Sequence, residues 1–240
     1  MDSNSTATVR RKTKIVSTLG PASSSPEKIR DLIKAGVNVF RLNFSHGSYE
    51  DHGKLLQTVR AASAELEIPV AVLQDLSGPK IRITEVVGGS VDLVDGQTVK
   101  IKATTDKTKM SDINCINVIG LDPAAFVVAG EQILLSDGYI DLRAEAVSNG
   151  EVSCRIIRGG NLRSKQGIAF PGTVINLPAT TEKDLLDLKW GLANEVDYVA
   201  ISFVQTPEDI KRVRAVAAEE GKTVRIISKI EMKTALKHID

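Results

Sequence analysis

The sequence predicts an α/β protein, an incomplete (β/α)8 barrel of the TIM type with a small antiparallel β-barrel domain inserted in it. Near both ends of the chain, short apolar runs alternate with helical patterns, as parallel strands joined by helical crossovers require. Between them, alternating strands are separated by tight-turn dipeptides, which is typical of antiparallel β structure. About five βα units are recognisable, whereas a closed barrel needs eight.

The first part of the predicted barrel spans residues 13–82 and follows a polar tail, residues 1–12, that we expect to be disordered. A strand at 15–19 precedes a helix that starts at Ser25, with proline and an acid directly after it. A strand at 37–44, a long helix at 49–67 and a wholly apolar strand at 70–73 follow. No glycine-rich GxGxxG motif follows the first strand, which argues against a dinucleotide-binding fold.

The inserted domain is predicted at residues 83–179, where the pattern changes to short alternating strands. Five turn dipeptides divide it: Gly88-Gly89, Asp95-Gly96, Asp137-Gly138, Asn149-Gly150 and Gly159-Gly160.

The barrel pattern resumes at residues 180–240. Thr181 and Asp184 have the spacing of a capping box at the start of a helix. An apolar strand at 196–203, a helix from Thr206, a strand at 224–228 and a helix near Met232 complete this part.

Composition excludes several classes of protein. Lys and Arg total 31 against 30 Asp and Glu, so a formal charge of +1 provides no global field for nucleic acid or anionic lipid. Cys115 and Cys154 lie far apart, without the spacing of a zinc site or a disulfide framework. No apolar run could span a bilayer and the polar start has no signal-peptide core, so we expect a cytoplasmic protein without a membrane partner.

Polar residues cluster where three predicted barrel strands end. Arg41, Asn43 and Ser45 alternate with apolar residues, Asp75 ends the third strand, and the last strand ends at 229–231. Each feature alone is compatible with a solvated rim or a turn. Because all three lie at the same end of the strands, where barrel active sites are found, together they indicate a site.

The residue types at these strand ends suit phosphoryl chemistry. Arg41 and Arg82 offer planar bidentate donors for phosphate, and Lys229 offers a compact positive charge. Glu231 is a hard oxygen ligand suited to Mg²⁺. A second oxygen cluster that could hold a cation is formed by Asn43, Ser45 and Asp75.

With these residues in place, the sequence closely resembles the pyruvate kinase family, specifically its N-terminal portion. The matching stretches occur in family order and cover nearly the whole chain: Thr13 to Pro21, Phe40 to Gly47, Gly78 to Arg82, Leu177 to Asp184, and Ile227 to Glu231. The resemblance implies a barrel with a β-barrel lid inserted after the third strand. It also implies transfer of the phosphoryl group of phosphoenolpyruvate to ADP, giving pyruvate and ATP, in a homotetrameric parent enzyme.

The resemblance also implies individual roles. Arg41 and Lys229 would contact the phosphoryl group, Glu231 would bind Mg²⁺ or Mn²⁺, and Asn43, Ser45 and Asp75 would bind a monovalent cation. The nucleotide-side positions that it implies are His46, Arg82, Lys165 and the lid acid Asp137.

Substitutions at three positions depart from the family pattern. Leu76 and Lys80 replace the usual Thr and Glu after Asp75, and in this family a Lys at that position accompanies independence of K⁺. Gln205 stands where the family usually has Arg, and nothing in the sequence explains that change.

Two other functions remain open. A (β/α)8 aldolase would use Lys229 as a Schiff-base lysine, although Glu231 on the same face favours the charged amine. Alternatively, the chain is a non-catalytic truncated fragment that only binds a ligand or a partner. Because roughly three barrel strands of the family lie beyond Asp240, we expect the chain alone to have little kinase activity.

Overall fold

The computed structural model describes residues 12–79, 81–172 and 178–239. It divides into two compact units. The barrel unit comprises the described parts of Met1–Gly78 and Ala179–Glu231, and the inserted unit comprises those of Pro79–Pro178 and Met232–Asp240. Arg82, which the sequence analysis placed in the barrel, therefore belongs to the inserted unit. Lys80 and most of the predicted tail lie outside the described residues.

The elements follow one another along the chain as the two predicted patterns require. The first half contains β1 (Val16–Thr18), α1 (Pro26–Lys34), β2 (Val39–Asn43), α2 (Tyr49–Leu66), β3 (Ala71–Asp75), β4 (Arg82–Ile83), β5 (Ser90–Leu93), β6 (Thr98–Thr104) and β7 (Cys115–Ile119). The second half contains β8 (Gln132–Leu135), β9 (Ile140–Ser148), β10 (Glu151–Arg158), β11 (Gly160–Arg163), β12 (Ile168–Ala169), α3 (Glu182–Ala193), β13 (Tyr198–Ile201), α4 (Pro207–Glu219) and β14 (Arg225–Ser228).

The barrel unit is built on a parallel sheet, as predicted. In the described part of the chain its strands follow the order β1-β2-β3-β13-β14, and every neighbouring pair is parallel. Helices connect successive strands except between β3 and β13, where the chain makes the inserted unit. This is the arrangement of an incomplete (β/α)8 barrel, and it confirms the predicted fold class.

Helix starts in the barrel unit are fixed by their capping residues. Ser25 accepts a hydrogen bond from the Lys28 backbone N–H at 3.3 Å, and Pro26 follows it as the first helical residue. Reciprocal capping boxes open α2 and α3, the second of them between Thr181 and Asp184. These caps satisfy backbone donors that have no partner within a helix, and they confirm the predicted starts of α1 and α3.

One face of the sheet is covered by the helices. Phe40 and Leu42 of β2 are fully buried in a core with Ile29 and Ile33 of α1 and Val59 of α2. A second core joins β13 with α3 and α4. Because side chains alternate along a strand, the residues between Phe40 and Leu42 and after Leu42 project from the opposite face.

Helix α3 approaches β3 very closely at one point. A Cβ atom at Gly191 would lie 2.0 Å from the Gln74 side-chain oxygen, so a larger residue there would displace the Gln74 side chain. Gln74 is fully buried, and its side-chain nitrogen donates to the Asp187 carbonyl at 2.6 Å. The contact sets the spacing between this helix and the sheet.

The inserted unit is a small barrel. Among its described residues, seven strands follow the order β12-β8-β9-β10-β6-β7-β4. A bridge between Arg82 and Gly167 joins the two ends of this sheet. The β9–β10 hairpin turns at Asn149-Gly150, with both φ angles positive, as predicted for such a dipeptide.

One pairing in the inserted unit differs from the prediction. Strands β6 and β7 are parallel, so the domain is not antiparallel throughout. The connection between Thr104 and Cys115 is long enough to carry the chain back before β7 starts, and such a crossover leaves no turn dipeptide as a signal.

The last described segment is a 3-10 helix at Lys233–His238, close to the predicted helix near Met232. Among the described residues, no helix has the length and apolar character needed to cross a membrane.

Candidate active site

The predicted site centres on Asp75, the last residue of β3. Its side chain is buried, with 3% of the residue exposed, and both of its oxygens contact cations. The Arg41 Nε donates to Asp75 Oδ2 at 2.7 Å, and the Lys229 Nζ donates to Oδ1 at 3.3 Å. The register explains the first contact, because Asn43 lies opposite Asp75 and Arg41 is two residues before it on the same face.

Lys229 follows β14 and has three oxygen contacts. Besides Asp75, its Nζ lies 3.4 Å from Glu231 Oε1 and donates to Ser202 Oγ at 2.7 Å. The Lys229 backbone N–H continues the ladder by donating to the Ile201 carbonyl at 3.0 Å. Two carboxylates and a hydroxyl around one ammonium group give each of its three N–H donors an oxygen acceptor.

Arg41 is also held from the first strand. Its Nη1 donates to Thr18 Oγ1 at 2.9 Å, while Nε and Nη2 both contact Asp75 Oδ2. The guanidinium therefore bridges β1 and β3 and stays partly exposed. It has donor capacity left for an anion arriving at this edge.

Glu231 is oriented by a backbone contact. The Phe203 N–H donates to Glu231 Oε2 at 3.0 Å. Phe203 has a φ of 55°, an unusual conformation for a bulky residue, and this conformation aims its N–H at the carboxylate. Its ring lies against Gly78, where an added Cβ would come within 2.9 Å of the ring.

The predicted monovalent-cation ligands do not share one set of contacts. Asn43 Oδ1 accepts from the Ser45 N–H at 3.1 Å, and Ser45 Oγ donates to Ser77 Oγ at 3.2 Å. Asp75 instead has both oxygens in contact with Arg41 and Lys229. A K⁺ ion using all three would compete with those two cationic side chains for Asp75.

His46 is exposed in the loop that follows β2. An aromatic cluster packs against this loop and holds it in place. The His46 carbonyl lies 2.9 Å from His52 Nε2, and His52 stacks on Phe44 with ring centroids 4.1 Å apart. Burial lowers the pKa of His52, so the neutral ring is favoured. Trp190 of α3 also packs against Phe44, with ring centroids 5.3 Å apart.

A buried carboxylate on α3 supports the same loop. Asp187 accepts hydrogen bonds from the Tyr49 hydroxyl at 2.8 Å and from Lys183 Nζ at 2.6 Å. Lys183 also donates to the Phe44 carbonyl at 3.2 Å. Burial, followed by the hydrogen bond to Asp187, raises the pKa of Tyr49 to about 12. The hydroxyl therefore stays protonated and continues to donate.

The three remaining site candidates lie together in the inserted unit. Arg82 Nη1 donates to the Lys165 carbonyl at 2.8 Å, and Lys165 Nζ pairs with Glu85 at 2.6 Å. Asp137 is exposed at the tip of a turn with a φ of 53°. Ser136, beside it, donates to Gln166, beside Lys165, so the two loops are joined.

A divalent metal has one suitable carboxylate here. Among residues 12–79, 81–172 and 178–239, no three His, Cys, Asp or Glu side chains form a group that could hold a metal ion. Glu231, partly exposed beside the cluster, fits Mg²⁺ because that ion typically takes one or two carboxylates and completes its shell with water and substrate oxygens.

Sequence reasoning missed three residues of the cluster: Thr18, Ser202 and Phe203. Thr18 ends β1, and Ser202 directly follows β13, so both satisfy the rule that barrel sites lie at strand ends. That signal could have found the two hydroxyls. The role of Phe203 depends on its backbone conformation, for which a phenylalanine gives no signal.

The fold and the charged edge place the chain among (β/α) barrel proteins with a strand-end site suited to an anionic ligand. Residues 10–240 match the family model of the pyruvate kinase barrel domain. The chain therefore belongs to the pyruvate kinase family, as the resemblance in sequence predicted.

Two relatives illustrate the match. The chain is 41% identical over 237 residues to pyruvate kinase 2 of Synechocystis sp., covering 97% of this chain. It is 38% identical over 237 residues to the pyruvate kinase of Staphylococcus aureus (strain MRSA252), covering 96% of this chain. In both cases it spans 39% of the relative's length.

Proposed function

We propose that the protein carrying this chain transfers the phosphoryl group of phosphoenolpyruvate to ADP, giving pyruvate and ATP. The supporting observation is the convergence of Arg41 and Lys229 on the buried carboxylate of Asp75 at the carboxyl ends of the strands. Two cations fixed at one point of a barrel rim suit a substrate that carries a phosphate and a carboxylate. The family names of the relatives support the same activity.

In this proposal, the two cations act on the transferring group. Lys229 Nζ lies beside the phosphoryl oxygens and stabilises the charge that they carry during transfer. Arg41 grips the same group through the donors that Asp75 and Thr18 leave available, and its planar fork fixes the orientation. Asp75 holds both cations in place before the substrate arrives, so little reorganisation is needed.

Mg²⁺, or Mn²⁺, is the metal that we propose, with Glu231 as its ligand from this chain. When bound, the ion supplies further positive charge at the phosphoryl oxygens. The Phe203 N–H fixes one oxygen of Glu231, and the other faces the cluster. We expect Glu231→Gln to raise the Mg²⁺ concentration needed for half-maximal activity by at least about 10-fold, since a neutral amide is a poor Mg²⁺ ligand.

Four of the site residues predicted from the sequence are proposed to bind the nucleotide. His46, Arg82, Lys165 and Asp137 are proposed to contact ADP and ATP, by resemblance to the family. A cytoplasmic, homotetrameric enzyme belongs to the same proposal.

We also propose that this enzyme does not require K⁺. Asp75 already contacts two cationic side chains. The sequence also places a lysine, Lys80, five residues after Asp75. A lysine ammonium is a compact single charge, and Lys80 would replace the charge that K⁺ supplies. Activity should therefore be retained in tetramethylammonium buffer, and Lys80→Glu should create a requirement for K⁺. Strong activation of the unaltered enzyme by K⁺ would contradict the proposal.

The direct test of the activity is Lys229→Met, measured as ATP and pyruvate formed from phosphoenolpyruvate and ADP. We expect a loss of about 10²–10³-fold or more in kcat, because a preorganised charge at the transferring group is removed. Lys211→Met is the matched control, since Lys211 is exposed on α4 and pairs only with Glu208 nearby in the described contacts. Near-normal transfer by Lys229→Met would refute the assignment.

The aldolase alternative makes a different prediction for the same residue. A Schiff-base lysine attacks a carbonyl as the neutral amine in an apolar or cationic setting, whereas two carboxylates, Asp75 and Glu231, lie 3.3 and 3.4 Å from Lys229 Nζ. Borohydride reduction in the presence of pyruvate should leave Lys229 unmodified. A covalent adduct on Lys229 would support the aldolase instead.

A further inference from the structure

We propose that Ser202 is a positioning residue for Lys229, an inference that rests on the proposed phosphoryl transfer. Ser202 directly follows β13 and is 3% exposed. Its hydroxyl makes the shortest described contact of the Lys229 amine, 2.7 Å from Nζ to Oγ. The two carboxylates in contact with the same amine are farther away, at 3.3 and 3.4 Å.

The direction of this hydrogen bond is fixed by its second partner. Ser202 Oγ lies 2.8 Å from the Leu76 carbonyl, which can only accept, so the hydroxyl proton points toward Leu76. The Lys229 ammonium has only donors, so it must use the lone pairs of the same oxygen. The two hydrogen bonds therefore run in one direction: Lys229 donates to Ser202, and Ser202 donates to the Leu76 carbonyl.

Backbone contacts hold Ser202 in place. The Lys229 N–H donates to the Ile201 carbonyl, which brings the residues after β13 and β14 side by side. Gly78 packs so tightly against Ser202 that an added Cβ would lie 3.1 Å from the Ser202 Cβ. The hydroxyl is thus a rigid acceptor for a lysine whose four-carbon stem is otherwise flexible.

A rigid acceptor has a specific consequence for the reaction. Asp75 and Glu231 supply negative charge that holds the amine near the rim, at 3.3 and 3.4 Å. The shorter contact with Ser202, at 2.7 Å, adds a directional hydrogen bond that fixes the exact position of Nζ. Because displacement of a catalytic group by about 1 Å can cost about 10²-fold in rate, loss of the hydroxyl should reduce turnover while the charge remains.

The test compares Ser202→Ala and Ser202→Thr in the otherwise unaltered protein and in Lys229→Met. We expect Ser202→Ala to lower kcat by about 10- to 100-fold with an unchanged KM for ADP, and Ser202→Thr to recover most of it. In the Lys229→Met background, Ser202→Ala should change kcat by less than about 2-fold, since the hydroxyl has no amine left to position.

Ser63→Ala is the matched control. It removes a hydroxyl that donates to the Ile68 carbonyl at 2.8 Å, at the opposite end of α2 from the site loop. This variant should keep normal kcat. A fall in kcat for Ser202→Ala that is equally large in the Lys229→Met background would show a merely structural role and overturn the proposal.

A measurement that does not use activity separates this inference from the proposed function. Acylation by a lysine-selective reagent, followed by mass spectrometry, gives the reactivity of Lys229 relative to exposed Lys211. Loss of one hydrogen bond should raise this ratio by about 5-fold in Ser202→Ala, and Ser202→Thr should restore it. An unchanged ratio overturns the role of Ser202. Absence of ATP formation in the unaltered full-length protein that carries this chain would instead refute the proposed function, while the ratio still decides on Ser202.

Discussion

Replacement of Gly78 tests how rigidly the end of β13 is packed. Gly78 has a φ of 68°, and an added Cβ would lie 2.9 Å from the Phe203 ring and 3.1 Å from the Ser202 Cβ. Alanine in this conformation costs about 1–2 kcal/mol, and overpacking a filled site adds about 1–3 kcal/mol. We therefore expect Gly78→Ala to lower the free energy of unfolding of the barrel unit by about 2–5 kcal/mol.

Gly221 provides a control with the same backbone conformation and no crowding. Its φ is 66°, and no atom lies within 4 Å of an added Cβ. Gly221→Ala should cost only the conformational part, about 1–2 kcal/mol. The difference between the two variants isolates the contact of residue 78 with Phe203 and Ser202.

The assay is denaturant unfolding followed by fluorescence of Trp190, the single tryptophan of the 240 residues, which lies in the barrel unit. Gly78→Ala should also lower kcat more than Gly221→Ala does, because displaced Phe203 no longer holds Glu231. Equal losses of stability in the two variants, within about 0.5 kcal/mol, would refute the reasoning.

Three further predictions concern other contacts of the barrel unit. Asp75→Asn leaves Arg41 and Lys229 without their shared carboxylate. We expect a loss of about 3 kcal/mol in stability and a marked fall in kcat, with exposed Asp31→Asn as control. Thr181→Ala removes the cap of α3 and a donor to buried Asp184, and should lower unfolding stability by about 1 kcal/mol in the Trp190 assay. In a spectroscopic titration, Tyr49 should ionise near pH 12, and Tyr49→Phe should abolish that transition. Because its pKa is raised on folding, Tyr49 should contribute stability that is present below about pH 10 and is lost as the pH rises to about 12.

The sequence predicted the barrel unit well because local signals and packing agree there. Ser25 with Pro26 fixes the start of α1, and the alternation around Arg41 assigns that residue to the face away from the helices. Asp75 and Lys229 were predicted as site residues because strand ends share one edge. Their mutual contact depends on the register of β3 with β13 and of β13 with β14, which periodicity does not provide.

The less predictable parts depend on tertiary contacts. The parallel pairing of β6 with β7 follows from the route of the chain between Thr104 and Cys115, where no glycine turn dipeptide marks a hairpin. Ser202 was passed over because a serine at a strand end is common, and only the position of Lys229 gives it a role. Nothing in the sequence indicated that both oxygens of Asp75 contact cationic side chains, because those contacts join residues from three different strands.

The close contact between Gly191 and Gln74 constrains how this sequence can evolve. Glycine within a helix lowers the free energy of unfolding by about 1 kcal/mol relative to alanine. Helix stability alone would therefore favour alanine at position 191. Here a methyl group meets the buried Gln74 side chain at 2.0 Å, and shortening Gln74 alone removes its hydrogen bond to Asp187. A larger residue at 191 therefore requires the Gln74 side chain to move or to be replaced, and we expect homologous barrels with alanine at 191 to carry a smaller residue at 74.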